Sequence, residues 1–250
     1  YGEKDIYQMI DTLKKIPILN TYYETILTLV NGYKIWGLVE VGPYYSLYSS
    51  NPIEGDRFQL GLRTSNAFSK QIMLEANAAY GLLDERLKYN LRTFFFLSKN
   101  PRRYFDIKYK NDVTQFDKDD FFVSNSNNLV SIFFRRNPYN KLVNIKGLKI
   151  DYFNEWKEGF SNTLSLKNYE IKTLGEVVKF NKTAGNITTT VNELYATEIS
   201  LGMHYAKNEK FLSGEFLRQS LSTSSPIFDL DVTIGLKNIL NSNVTQFNYL

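Results

Sequence analysis

Cysteine is missing from the 250-residue chain, so it can hold neither a disulfide framework nor a thiolate metal site. Histidine occurs once, at His204. One imidazole and no thiol are too few ligands for a zinc centre. No run of about 18 uninterrupted apolar residues occurs, which excludes a membrane-spanning helix, and mean hydropathy is −0.33. Spanning strands escape that exclusion, because only every second residue of a strand must be apolar. Charge of one sign does not dominate: 30 basic against 26 acidic residues leave a net +4. That is too balanced for the concentrated basic face of a nucleic-acid binder. Glycine-rich phosphate loops are lacking, since Gly42-Pro43 and Gly159-Phe160 fall in strand or turn contexts and not at a helix start. The acidic run Asp117–Asp120 has neither the spacing nor the glycine of a calcium loop and reads as a solvated loop. No catalytic residue, cofactor or metal is expected on these grounds.

What the chain has in quantity is aromatic side chains, 18 Tyr and 18 Phe, and long stretches of strict alternation. In Arg57-Phe58-Gln59-Leu60-Gly61-Leu62-Arg63 the odd positions are charged, polar or Gly, and the even ones are large and apolar. Successive side chains of a strand point to opposite faces, so the segment has one apolar and one charged face. Soluble strands usually run about five or six residues, whereas a tilted strand crossing a bilayer needs roughly 9–11. The alternation continues through 69–82, 86–98 and 103–113, where Asp106, Lys108, Lys110 and Asp112 oppose Phe105, Ile107, Tyr109 and Val113. A less regular strand is expected over 128–136, then strands over 142–157, 160–172, 193–207, 211–221 and 226–237. A first strand is expected within 34–41, a polar loop over 174–190 and, at Tyr249-Leu250, the inside of another strand. Residues 1–32 read as two short amphipathic helices, 3–15 closed by Pro17 and 20–31 stopped at Asn31-Gly32. The expectation is therefore an all-β, antiparallel, up-and-down transmembrane β-barrel of roughly ten strands over 33–250, preceded by two helices and continuing past Leu250.

Several phrases carry a family resemblance: Gly42-Pro43-Tyr44-Tyr45-Ser46, Glu54-Gly55-Asp56-Arg57-Phe58, Gly61-Leu62-Arg63-Thr64-Ser65, Tyr80-Gly81 with Asp84, Arg86-Leu87-Lys88-Tyr89, Arg135-Arg136-Asn137-Pro138 and Gly159-Phe160-Ser161-Asn162-Thr163. Together they resemble an uncharacterised outer-membrane β-barrel family of Bacteroidota, whose members often carry an N-terminal carboxypeptidase-regulatory-like domain. The general plan is more loosely similar to barrels of the outer-membrane insertase superfamily. The resemblance implies a bacterial outer-membrane location, with lipid and other envelope proteins as partners; the family has no established catalytic residues to carry over.

The densest polar cluster is Glu54, Arg57, Arg63, Glu75, Asp84, Arg86, Lys88 and Arg92. Alternation turns most of these to one face, expected to be the barrel interior. They can hold the barrel's shape through cross-strand pairs, or line a charged passage. Two further readings stay open. A lipid-hydrolysing barrel would use His204 as a base, although Ser200, four residues along the same strand and roughly 13 Å away, cannot be its nucleophile. A soluble β-rich binding domain would fold without detergent.

Overall fold

Alternation with a period of two forms a ladder only when neighbouring strands share a register, and here they do so across most of the chain. The computed structural model describes residues 32–116, 141–175, 180–184, 187–216, 218–222, 225–237, 239–240 and 247–249, with Ile18, Thr21, Tyr22, Thr25 and Thr28 before them. Among the described residues there are sixteen strands: β1 (Lys34–Trp36), β2 (Val39–Val41), β3 (Tyr48–Asn51), β4 (Gly55–Thr64), β5 (Ile72–Gly81), β6 (Leu87–Lys99), β7 (Arg102–Gln115), β8 (Leu142–Lys157), β9 (Phe160–Thr173), β10 (Phe180–Ala184), β11 (Ile187–Val191), β12 (Glu193–Ala206), β13 (Lys210–Ser213), β14 (Arg218–Ser222), β15 (Ile227–Gly235) and β16 (Phe247–Tyr249). Twelve form one sheet in the order β1-β2-β4-β5-β6-β7-β8-β9-β12-β15-β16, with β3 beside β4. Every pairing is antiparallel.

The meander is as expected, but it is an open sheet and not a closed barrel. Its path ends at β1 and β16, and among the described residues no ladder joins them. Three segments also differ from expectation. The strand expected over 34–41 is the hairpin β1–β2, because Gly37, at φ 61°, takes a left-handed turn. The loop expected over 174–190 contains the separate hairpin β10–β11. The strand expected over 211–221 is a second separate hairpin, β13–β14, divided around Gly214. The strand expected over 128–136 and the acidic run Asp117–Asp120 lie outside the described residues, and β7 and β8 are direct neighbours. The two expected helices also fall almost wholly outside them. The described positions Ile18, Thr21, Tyr22, Thr25 and Thr28 are helical.

Polar side chains are buried on the inner face of this sheet and apolar ones are exposed on the outer face. Arg57 and Lys88 are 5% and 3% exposed, whereas Leu60 and Leu87 are 54% and 61% exposed. Curvature explains the burial. Arg57 on β4 reaches Asp112 on β7, three strands away. In a flat sheet those strands would lie about 14 Å apart, beyond the reach of one Arg and one Asp. The sheet therefore curls with its charged face inside. On the outer face, register aligns Ile107, Ile150, Leu166, Ile199 and Ile234 across five neighbouring strands. Aromatics flank this row, with Tyr80, Tyr89 and Tyr109 toward the rim bearing the 82–86 turn. Phe105, Tyr152, Phe160, Tyr205 and Phe228 lie toward the rim bearing the 158–159 turn.

Near the 82–86 rim the two faces exchange character in β8, β9 and β12. The inner positions Val143, Ile145 and Ile171 form an apolar cluster with Phe116, Tyr169, Phe180 and Leu194. The outer positions there carry Glu170, Lys172 and Glu193, with Lys172 Nζ 2.9 Å and 3.0 Å from the two carboxylates. Close packing at this end depends on Gly147, where a Cβ would lie 2.5 Å from both the Asn168 carbonyl oxygen and Tyr169 Cβ. Gly147→Ala should cost about 1–3 kcal/mol through this overpacking, measured as a lower midpoint of equilibrium unfolding.

Candidate functional site

Seven of the eight residues picked out by alternation enter the inner charge network. Glu54 ends the β3–β4 turn and is held there by Asn51, whose Oδ1 accepts the Glu54 backbone N–H at 2.8 Å while its Nδ2 donates to Glu54 Oε2 at 2.6 Å. Arg57 then donates to Glu54 at 2.9 Å and to Asp112 at 2.7 Å and 3.1 Å. Lys88 lies 3.0 Å from Glu54 and 2.6 Å from Asp84. The strand beneath this knot, β5, offers only Ala79 and Gly81 there. A Cβ on Gly81 would lie 2.9 Å from Lys88 Nζ and 2.4 Å from Asp84 Oδ1, so small residues make the room the charges occupy.

A second knot lies at mid-sheet. Arg92 binds Asp106 through two 2.8 Å hydrogen bonds and sits 4.0 Å from Glu75. Arg63 pairs with Glu40 at 2.5 Å and stacks on the Tyr33 ring at 3.6 Å. Arg86 stands apart. It precedes β6 in an exposed turn, where its backbone N–H, at 3.4 Å, is its one contact with Asp84. Alternation assigned it to the face of Lys88, but β6 begins only at Leu87, so the alternation does not extend to it. Sequence reasoning placed Asp106 and Asp112 on the polar face yet left them, with Glu40, out of the cluster. Their shared parity with Lys108 and Lys110 was the available signal; which cation each would meet depends on the curl.

Toward the 158–159 rim the interior is filled by a different device. The β13–β14 hairpin, which leaves the sheet between β12 and β15, folds onto β5, β6 and β7. Phe216 at its tip packs among Met73, Phe94, Phe96 and Tyr104. Arg102 donates to the Phe216 carbonyl oxygen at 2.6 Å, Arg218 to Glu155 at 2.6 Å, and Lys99 pairs with Glu215. At the hairpin's base His204 meets Asp229 through Nδ1 at 2.6 Å and Glu209 through Nε2 at 2.9 Å. Hydrogen bonds to two carboxylates require protons on both ring nitrogens and leave no lone pair for a general base. Ser200 is 2.8 Å from Thr233, and Ser161 is the register partner of His204. Among the described residues, no group of three or more His, Asp or Glu is placed to hold a metal ion.

Breaking a buried pair by removing one partner costs about 3–5 kcal/mol. Asp112→Asn should show a loss of that size in unfolding free energy, while Arg86→Ala should stay within about 0.5 kcal/mol of the parent. Burial pushes the Glu209 carboxyl up, but hydrogen bonds from Ser220 and His204 and the charges of His204 and Arg218 outweigh it and hold the group below the ordinary carboxylate range. A depressed folded value means that Glu209 stabilises hairpin docking above roughly pH 4 and loses that contribution as pH falls further. The gap in thermal midpoint between parent and Glu209→Gln should therefore be widest near neutral pH and close on acidification.

No curated protein and no solved structure matches the chain. A family model described as the C-terminal domain of a family of unknown function (DUF5686) matches residues 27–250. With the whole inside-out sheet, Lys34 to Tyr249, inside that match, the chain belongs to this family.

Proposed function

We propose that the sheet is part of the wall of an outer-membrane β-barrel with a non-enzymatic role in envelope assembly, export or transport. The observation that carries this reading is the inverted burial: ionic side chains inside, rows of Leu, Ile and aromatics outside. Monomeric soluble proteins rarely expose a continuous apolar surface of this extent, whereas lipid requires one. The exposed row Ile107–Ile150–Leu166–Ile199–Ile234, with aromatics on both sides, has the arrangement of a bilayer-facing band between two girdles. The eight long strands of the sheet, 9 to 16 residues each, are long enough to cross. The exchange of polarity near the 82–86 rim fits strands that leave the bilayer and continue in water.

An open edge in hydrocarbon leaves backbone groups unsatisfied at several kcal/mol each. In a membrane the free edges of β1 and β15–β16 would therefore pair with further strands. The resemblance to the Bacteroidota family with carboxypeptidase-regulatory-like domains supports the outer membrane as the location, with its lipid and other envelope proteins as partners. The engagement of both His204 nitrogens weighs against the lipid-hydrolysing reading, and the exposed apolar rows weigh against a soluble binding domain.

Folding and gel migration test the proposal. The chain should reach its β-sheet state only in detergent or lipid and should migrate differently before and after boiling; folding to a monomer in plain buffer would overturn the proposal. Ile199→Arg, placed in the middle of the outer row, should cost about 2–4 kcal/mol of folding free energy in bilayers, while Ile199→Leu should be near neutral.

A further inference from the structure

We infer that the β13–β14 hairpin is a hinged lid, closed in this structure, whose opening joins two cavities into one chamber reached from the 158–159 rim. The sheet does not depend on the hairpin. β12 and β15 are direct neighbours, and Ala206 pairs with Ile227 where the chain leaves and re-enters the sheet. Among the described residues β13 and β14 form a ladder with each other and with no other strand. The hairpin can therefore swing as a unit without breaking a rung of the main sheet.

Its two ends are held differently. At the base, His204 binds Asp229 at 2.6 Å and Glu209 at 2.9 Å, and the turn leading to Glu209 passes through Asn208 at φ 57°. Asn tolerates this left-handed conformation, and hinges consist of a few loop or element-terminal positions that absorb dihedral change. The tip reaches across the interior to β5, β6 and β7. There the Phe216 ring meets Phe94 edge-on and stacks on Phe96, with centroids 5.9 Å apart in each case. The other fastenings are polar: Arg102 to the Phe216 carbonyl oxygen, Arg218 to Glu155, and Lys99 to Glu215. Lys99 is exposed, and an ion pair open to water contributes little. Arg218 Nε is buried with no hydrogen-bond partner among the described residues, so closure leaves unsatisfied a donor that opening would hydrate. Water can replace each polar contact as the tip lifts, but it cannot replace the aromatic seat. One ring therefore sets the balance between closed and open.

The tip is also a partition. A cavity of about 770 Å³ lies at the rim, beside the turn residues Asn100, Pro101 and Glu158. A second, of about 550 Å³, reaches Glu40, Arg63 and Arg92 at mid-sheet. Gly214 and Glu215 line both. Lifting the tip removes the wall between them, so the inner ionic knots become reachable from the rim. Met73, under Phe216, is covered while the lid is closed, at 5% exposure.

Thiol labelling tests the lid, since the chain has no native cysteine. Met73→Cys places a thiol under the tip, and Ile171→Cys places one in the apolar cluster at the opposite end. Each full-length variant, folded in neutral detergent micelles, is treated with a small anionic methanethiosulfonate. Labelling of a covered thiol follows the population of the opening that uncovers it. The Met73→Cys thiol should label faster than the Ile171→Cys thiol, because the lid opens without the sheet unfolding; equal rates would mean a fixed plug and overturn the lid. Adding Phe216→Ser should speed Met73→Cys labelling by about a hundredfold, the scale of a lost buried Phe, and leave Ile171→Cys unchanged. Phe216→Leu should fall between parent and Phe216→Ser. No acceleration, or equal acceleration at both thiols, overturns the lid. Should Phe216→Ser fail to fold, Arg218→Gln decides, with a several-fold acceleration confined to Met73→Cys expected. Heat-modifiable migration of the same samples reads the membrane wall separately. Samples that keep it while both thiols label alike overturn the lid alone; samples that lack it while Met73→Cys labels selectively overturn the wall alone.

Discussion

Arg57 reaching over β5 and β6 to Asp112 is the contact on which the shape of the sheet depends. It can form only if the sheet curls, and the curl buries the polar face that an extended sheet would leave in water. Burial then makes every inner charge demand a partner, because an unpaired ion away from water is far costlier than a paired one. Glu54, Lys88, Asp84 and Asn90 complete the knot around Arg57 and Asp112. Ala79 and Gly81 beneath it are small because the knot lies on them. The inner surface is thus held by directional ionic contacts, whereas the apolar residues of these strands face outward.

This organisation changes along the strands. At mid-sheet the inside is ionic and the outside apolar. Beyond Leu148 and Asn168 the inner positions become Ile145, Val143 and Ile171, and the outer ones become charged. β8, β9 and β12 keep their register while exchanging the polarity of their two faces, and they do so together. The β10–β11 hairpin covers the apolar end, with Phe180 packing on Phe116. The β13–β14 hairpin closes the opposite end with Phe216. Between these two stoppers Lys108, Lys149 and Lys167 stand as register partners on β7, β8 and β9.

Much of this was legible as pattern. The strands at 72–81, 87–99, 102–115, 142–157 and 160–173 follow from alternation, since side-chain direction along a strand is a local property of the backbone. The inner placement of Arg57, Arg63, Glu75, Lys88 and Arg92 follows from the same parity. Arg86 misled because parity holds only inside a strand, and it lies one residue before β6. The two separate hairpins were hidden for a related reason. Their short alternating runs look like sheet strands or polar loop, and nothing local says that they pair with each other instead of joining the meander.

By itself the amino-acid sequence determined which residues stand on which face, how long the strands are, and that the charged face is the distinctive one. Those properties need only the two-residue period and the chemistry of each side chain. Only the tertiary structure decided that Asp112 and not Glu75 receives Arg57, that Phe216 fills the inside near β5, β6 and β7, that His204 lies between Asp229 and Glu209, and that the sheet stays open. Each depends on how strands distant in the chain are brought together by register and curvature, and no local period encodes that distance.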